Sequence, residues 1–441
     1  MEIKINKDNI LKTLVIYISI ILTFFIIIIT DNIMVHVFSF LTLSLISIIT
    51  VKFDFYHPFT WYIPFFAMYS IAHPVLLLIG GNRINTYSKE LMILQLVGLT
   101  TFLIVITPKR VDGDKIKSIL VKIDDLIYIN KYIYFSLYIL LVGSSVYISQ
   151  LGHEGKNELF ALGNPVVFLT FRLILLFLVI YVIGLIKRSL NDSKKFNYVA
   201  ISLIPVVLLF LFSGERDLIL RFILLTFYVL YTFDVIIKKN SNKKYLFFSL
   251  VSLLVLPLLA TLKYIGLGRG VNEKFFDDFL VGFFRSDFIA ASTNLQILID
   301  NNMDSYFSGY TFYTNLIRSI DIFGFKLAGD FSSGKWFNEY FYSHRDTGMG
   351  FTLVGDGYIN FGVFGVFLLF LFISFIIRVL YHKSSKNVIY YLIYLFAIPI
   401  YIYSIRGDLS TLLSPLITQI ILTILFIKLL NYIVSRGAKR L

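Results

Sequence analysis

The chain contains repeated runs of apolar residues, each long enough to cross a lipid bilayer as a helix. A hydrocarbon core about 30 Å thick needs roughly 20 consecutive apolar residues in a helix, and about twelve runs approach that length. Because lipid cannot satisfy backbone polar groups, such runs must be helical. The spans are predicted at residues 10–30, 32–51, 59–80, 90–107, 131–150, 165–186, 197–213, 217–237, 245–262, 358–381, 388–405 and 409–430.

The composition agrees with an all-α polytopic membrane protein. Hydrophobic residues make up 57% of the 441 residues and charged residues 15%, which excludes an ordinary soluble domain. There is no cysteine, so neither disulfides nor thiol chemistry is available. No small-residue cleavage site follows the first apolar run, which is therefore expected to remain as the first span.

Basic residues cluster in alternate loops and predict the orientation of the chain. By the positive-inside rule these loops are cytoplasmic, which places both termini in the cytoplasm. The net charge of +13 then reflects topology, and no nucleic-acid partner is expected. The clusters are Lys109, Arg110, Lys115, Lys117 and Lys122; Lys187, Arg188, Lys194 and Lys195; Lys238, Lys239, Lys243 and Lys244; and Arg436, Lys439 and Arg440.

One long stretch interrupts the spans and is predicted to lie outside the cell membrane. Residues 1–262 are predicted to hold spans one to nine, 263–357 a long extracytoplasmic loop, and 358–441 spans ten to twelve. The loop segments WFNEYFYSHRD and GMGFTLVGDGYINFG are too polar and too rich in glycine to span lipid. Within the loop, apolar residues at helical spacing over 277–300 predict an amphipathic helix near the membrane surface.

Three adjacent charges mark the tight turn between spans seven and eight. Glu215, Arg216 and Asp217 are costly in lipid, so they face either water or a cavity. A solvated hairpin turn with Arg216 at the lipid headgroups explains the same pattern.

The loop combines arginine, aromatic and acidic residues, a set suited to binding sugar phosphates. Aromatic rings can stack on sugars, and arginine can hold phosphate. The aromatics are also explained by an interfacial belt, Arg285 by an ion pair on an interfacial helix, and Arg406 by a local pair with Asp408. The candidates for substrate binding are Glu215, Asp217, Arg285, Arg318, Trp336, Tyr340, Tyr342, His344, Tyr358, Asn360 and Arg406.

Asp356 lies among glycines immediately before span ten. A carboxylate there can cap the span, or it can serve as a general base in a partly desolvated mouth. The sequence leaves both roles open. The six histidines show no metal-ligand spacing, so no metal site and no cofactor are predicted.

Chemistry on the outer face requires an activated group delivered on a carrier, since nucleoside triphosphates are absent there. A lipid diphosphate-linked sugar is the natural donor. Its transfer needs cations for the departing diphosphate, a base for the acceptor hydroxyl and a groove for saccharide.

The residues resemble the Wzy-type polymerases of O-antigen, capsule and exopolysaccharide repeat units. The resemblance lies in the many spans with one late outward loop, in SGERD at 213–217, and in GMGFTLVGDGYINFGVFG at 348–365. It implies a GT-C-like glycosyltransferase of the bacterial cytoplasmic membrane, without a metal, which uses undecaprenyl-diphosphate-linked oligosaccharide. A flippase and a chain-length regulator are its implied partners.

The resemblance also assigns roles to residues. The outer-face arginine of the family corresponds to Arg216 and its loop acid to Asp356, while Arg345 is a catalytic candidate by position and chemistry. Two kinds of protein remain as alternatives: a lipid-linked oligosaccharide flippase or transporter, and an O-antigen-type ligase.

Overall fold

The structure is a computed structural model with the helical architecture that the apolar runs predict. It describes residues 7–80, 84–125, 131–161, 165–191, 203–206, 217–247, 281, 284, 291–320, 331–343 and 350–437.

The first half of the chain forms long helices joined by short connections. They are α1 (Lys7–Ile29), α2 (Ile33–Thr50), α3 (Pro58–Leu78), α4 (Lys89–Ile106), α5 (Gly113–Leu120), α6 (Lys131–Ala161), α7 (Pro165–Leu190) and α8 (Asp217–Tyr231). A 3-10 turn, Val121–Asp125, follows α5, and a π-helical turn, Thr232–Ile237, follows α8.

The second half contains short loop helices and then long helices again. They are α9 (Ala291–Asp300), α10 (Tyr310–Ile320), α11 (Ser333–Phe341), α12 (Leu353–Lys383), α13 (Val388–Ser404), α14 (Leu409–Ser414) and α15 (Leu422–Gly437). A π-helical segment, Pro415–Ile421, joins α14 to α15.

The helices confirm an all-α polytopic membrane protein. Within the described residues, eight helical stretches are long and apolar enough to cross a bilayer, and two shorter apolar helices accompany them. No strand occurs in this part of the chain. The predicted spans at 197–213 and 245–262 lie almost entirely outside the described residues.

Two of the predicted spans are interrupted. The helix α12 begins at Leu353 and breaks at Phe361 and Gly362, so the long arm that corresponds to span ten begins at residue 363 rather than at residue 358. Span twelve is not one regular helix, because the π-helical segment Pro415–Ile421 interrupts it. Apolar periodicity cannot reveal either feature, since both interruptions leave the hydrophobic pattern intact.

The chain divides into two compact units. The first comprises Met1–Val111, Glu273–His382 and Ile400–Pro415. In it α1 packs on α2 and α4, α2 packs on α3, and α9 packs on α3 and α4. Its centre is aromatic: Tyr62 stacks on Phe102 with ring centroids 4.3 Å apart and on Phe66 at 5.7 Å.

The second unit comprises Asp112–Asn272, Lys383–Pro399 and Leu416–Leu441. Here α7 packs against α6, α8 and α15. Two arginines lie within its membrane helices. Arg172 on α7 donates to the carbonyl of Thr418, and Arg221 on α8 donates from Nη1 to Oε1 of Gln419 at 2.8 Å. Both cations therefore bind the π-helical segment.

The helix α9 of the long loop is fastened to the segment that precedes α4. The Gln296 amide oxygen accepts from the Ser88 backbone N–H at 3.1 Å, and the Thr86 hydroxyl donates to the Asp300 carboxylate at 2.5 Å. Since Gln296 also donates to Asp300 at 2.7 Å, the two contacts form one network. The helix α9 is thus part of the first unit.

We predict that Gly98→Leu destabilises the first unit. A Cβ on Gly98 would lie 3.1 Å from the ring of Phe370, so a larger side chain overpacks the contact between α4 and α12. We expect a loss of about 1–3 kcal/mol, measured as a lower thermal midpoint in detergent. Gly143→Leu is the control, because a Cβ there meets no atom within 4 Å. Equal midpoints for the two variants would contradict the packing.

Candidate functional site

The site is built around the Asp356 carboxylate, which is 0% exposed and accepts four hydrogen bonds. One oxygen accepts from the hydroxyls of Thr311 at 3.1 Å and Ser333 at 2.7 Å. The other accepts from the Asn315 amide at 3.1 Å and the Leu409 backbone N–H at 2.9 Å. A buried carboxylate survives only with such complete hydrogen bonding.

The four donors come from three helices that are distant in the sequence. Thr311 and Asn315 are four residues apart on α10 and so share one face, Ser333 is the first residue of α11, and Leu409 is the first of α14. The N–H groups at a helix start lack partners within the helix and favour a negative charge. Asp356 thus joins α10, α11, α12 and α14 of the first unit.

The Asp356 carboxylate sits in a short helical arm at the start of α12. The arm, residues 353–360, ends where Phe361 and Gly362 leave the helical conformation, with a φ of +57° at Gly362. A Cβ on Gly365 would lie 2.1 Å from the carbonyl oxygen of Gly357, so the short arm folds back closely on the long arm, residues 363–383. This close contact between the two arms explains why glycines occur in this segment.

The loop that precedes α10 caps the carboxyl end of the short arm. The carbonyls of Tyr358 and Ile359 accept from the backbone N–H groups of Ser305 at 3.1 Å and Phe307 at 2.8 Å. These carbonyls would otherwise lack partners at a helix end. The Asn360 amide adds bonds to the Thr311 hydroxyl at 2.5 Å and to the Asp356 carbonyl at 2.6 Å.

The start of the short arm pairs with the connection between α13 and α14. The Phe351 and Leu353 backbone N–H groups donate to the carbonyls of Arg406 at 2.9 Å and Ile405 at 3.1 Å. The Arg406 guanidinium lies over the ring of Tyr403, 4.7 Å from its centroid, and Asp408 caps α14 by accepting from Thr411. Arg406 is only half-buried, so it is a cation at the edge of the site.

Of the predicted site residues, Tyr358 and Asn360 are buried beside Asp356 in the short arm of α12. They therefore stabilise this arm and do not line an exposed surface. Arg318 is exposed on the last turn of α10. Asp217 begins α8, in the second unit. Glu215, Arg216, Arg285, His344 and Arg345 lie outside the described residues.

The predicted aromatic residues lie on α11 and just after it. Trp336 and Tyr340 are neighbours with ring centroids 5.7 Å apart, and Tyr340 is exposed. Tyr342 packs its ring against the buried Phe337 instead, at 5.8 Å. Phe337 also contacts Phe351 at 5.3 Å and so anchors α11 to the start of the short arm.

Sequence reasoning missed the partners of Asp356. Thr311, Asn315 and Ser333 are common residue types at unremarkable spacing, and the i,i+4 pair on α10 is the only signal that relates any two of them.

The described part of the chain holds no group of three or more histidine and acidic residues placed to bind a metal.

Chemically, the cluster is a polar anchor. In this conformation Asp356 presents no exposed oxygen to an acceptor hydroxyl, because all its accepting positions face protein donors. Of the two roles that the sequence leaves open, the geometry favours the structural one. The role of general base stays a prediction.

We predict that Asp356→Leu detaches the loop helices from α12. The change leaves four buried donors without an acceptor, which costs about 3 kcal/mol or more. We expect rapid tryptic cleavage at Lys335, inside α11, in purified protein in nanodiscs. Asp304→Asn changes an exposed carboxylate of the same loop and serves as the control. Equal cleavage of Lys335 in both variants would refute the anchor.

Comparison with known proteins identifies the family to which the chain is related. No curated protein and no solved structure matches it significantly. The family model for the O-antigen polysaccharide polymerase Wzy matches residues 13–436, nearly the whole chain. The protein therefore belongs to the Wzy family of O-antigen polysaccharide polymerases.

Proposed function

We propose that this polymerase transfers the growing glycan from undecaprenyl diphosphate onto a new lipid-linked repeat unit at the outer face of the bacterial cytoplasmic membrane. The family match over residues 13–436 carries the proposal. A second observation supports the location: the helices of the long loop are fixed to membrane helices, so a loop site adjoins the bilayer in which a lipid carrier resides.

The proposed topology places both termini in the cytoplasm. The starts of α7, α8, α12 and α14 then face outward, as does the Asp356 cluster. Substrate and product would both be on this side, where the polymer leaves the membrane.

The donor diphosphate is proposed to be held by arginines. Arginine remains charged and can bind phosphate oxygens in pairs, which stabilises the departing diphosphate. Arg216 is assigned this role together with Arg285 or Arg345, and Arg318 and Arg406 are further candidates for substrate binding. Arg172 and Arg221 lie in the outer halves of their helices in this topology, where both bind the π-helical segment Pro415–Ile421.

The acceptor side is proposed to use the loop. Trp336 and Tyr340 would stack on saccharide, with Tyr342, His344, Glu215 and Asp217 as polar contacts. No metal is assigned to the reaction, because arginine can supply the charge that the departing diphosphate requires. A flippase that delivers the repeat unit and a regulator of chain length are the proposed protein partners.

Asp356 is assigned an indirect part in the transfer. We place it as the residue that positions the loop over the membrane helices, since its carboxylate is fully buried among four donors. A general base must reach the proton that it removes, which requires an accessible oxygen. The two roles predict opposite activities for a double variant in which the side chains of Asp356 and Asn315 are exchanged.

We predict that Arg216→Ala abolishes chain extension and that single lipid-linked repeat units accumulate at the outer face of the membrane. The reason is the loss of the cation that stabilises the departing diphosphate. The readout is the length of lipid-linked saccharides on gels, together with their accessibility to a glycosidase added outside intact cells. Arg188→Ala, a change in the last turn of α7 on the predicted cytoplasmic side, is the control.

Other outcomes separate the alternatives. Accumulation of repeat units at the inner face would indicate a flippase. Normal long chains that fail to reach their final acceptor would indicate a ligase. Normal attached polymer in the Arg216 variant would show that Arg216 has no role in transfer.

We predict that exchanging the two polar groups of the cluster rescues activity. Asp356→Asn alone places an amide donor against other donors and should lower chain extension by roughly tenfold or more. The double variant Asp356→Asn with Asn315→Asp keeps one carboxylate and one amide in the same buried cluster. Recovery of chain extension supports positioning, whereas an inactive double variant that inserts and resists trypsin supports the base.

A further inference from the structure

A row of aromatic rings extends beyond the residues predicted from sequence. Tyr306 and Tyr340 each lie beside Trp336: the centroids of Tyr306 and Trp336 are 5.6 Å apart with 27° between the ring planes, and those of Trp336 and Tyr340 are 5.7 Å apart with 32°. Tyr306 and Tyr340 are 53% and 56% exposed. We call these three rings and Tyr310 the aromatic shelf.

A second layer of rings supports the aromatic shelf. Phe307 meets Trp336 edge to face at 4.8 Å and also contacts Tyr310 at 6.5 Å. Phe331 contacts Tyr310 at 5.5 Å. The exposed rings are therefore held in place before any ligand arrives, which lowers the entropy lost on binding.

The backbone under the aromatic shelf is fixed at a conformational cost. Ser305 and Ser308 adopt a φ of +55° and +46°, a left-handed conformation that costs a serine roughly 1–2 kcal/mol. The Ser305 and Phe307 backbone bonds to the short arm of α12 hold this segment. Strained backbone that the surrounding structure maintains is typical of binding sites.

The side chains around the aromatic shelf indicate which class of ligand it binds. The three exposed tyrosine rings of the shelf carry hydroxyls, and the half-buried Trp336 carries an indole N–H. Of the exposed charged residues within two positions of the shelf in sequence, Asp304 and Glu339 are acidic and Lys335 is basic, and Lys335 pairs with Glu339 at 3.7 Å. The net charge of the three is negative, which disfavours anionic lipid headgroups. On the same helix, exposed Tyr313 follows Tyr310 by three residues, and exposed Leu316 and Ile320 lie farther along the helix.

We propose that the aromatic shelf, with Tyr306 and Tyr310 as members that the sequence did not indicate, binds the saccharide part of the lipid-linked substrate. Sugar rings offer apolar C–H faces to the aromatic rings and hydroxyls to Asp304, Glu339 and the tyrosine hydroxyls. This inference rests on the proposed function for the identity of its ligand.

Trp336 reports on the shelf directly. The chain has two tryptophans, and the other, Trp61, is 1% exposed, so acrylamide in solution quenches the fluorescence of Trp336 selectively. The protein is used whole, in nanodiscs of neutral lipid. The probe is the repeat-unit oligosaccharide released by mild acid from the lipid-linked saccharides of host membranes.

We expect the oligosaccharide to protect Trp336 from acrylamide in a saturable way. Tyr306→Ala and Tyr340→Ala should raise the half-saturating concentration by roughly fivefold to tenfold, because each removes one stacking surface. Tyr313→Ala is the matched control, since Tyr313 is 64% exposed outside the shelf. Its half-saturating concentration should equal that of the wild type.

Three results would overturn the inference: no protection by the oligosaccharide, equal weakening in the Tyr306 and Tyr313 variants, or protection by anionic lipid in the nanodisc without saccharide. The last result would identify the shelf as a membrane interface. The probe lacks lipid and diphosphate, so its binding is independent of transfer. Chain extension without protection refutes the shelf alone, whereas protection without chain extension refutes the proposed polymerase reaction alone.

Discussion

The first unit depends on one buried carboxyl group that four donors surround. A carboxyl group removed from water is unstable unless its accepting positions are filled, and Asp356 meets this requirement only when α10, α11 and α14 supply their donors together. Partial assembly leaves either a buried carboxyl group or buried donors without partners. The loop helices and the membrane helices should therefore assemble cooperatively at this point.

The break in α12 places the Asp356 carboxyl group in the interior. Gly362 takes a left-handed conformation and Gly357 and Gly365 permit close backbone contact, so the short arm returns along the long arm and carries Asp356 into the interior. The free carbonyls of the short arm then bind the loop that carries Tyr306 and Phe307. The same arm thus connects the buried anchor with the exposed aromatic shelf.

The sequence predicted the membrane helices well because their length and hydrophobicity follow directly from the thickness of the bilayer. It also drew attention to Asp356, since a carboxylate among glycines before a span is conspicuous. It could not choose between cap and base, because the donors are 23 to 53 residues away from Asp356 in sequence and are common residue types. Tyr306 was missed for a similar reason: only the folded loop brings it against Trp336.

We propose that this polymerase extends glycan on a lipid carrier at the outer face of the membrane. Polymerisation can be tested with purified protein in liposomes that contain a single purified lipid-linked repeat unit, followed by separation of the saccharides by length. We expect a ladder in which each step adds one repeat unit. A single band at the starting length, with protein that is folded and inserted, would contradict it.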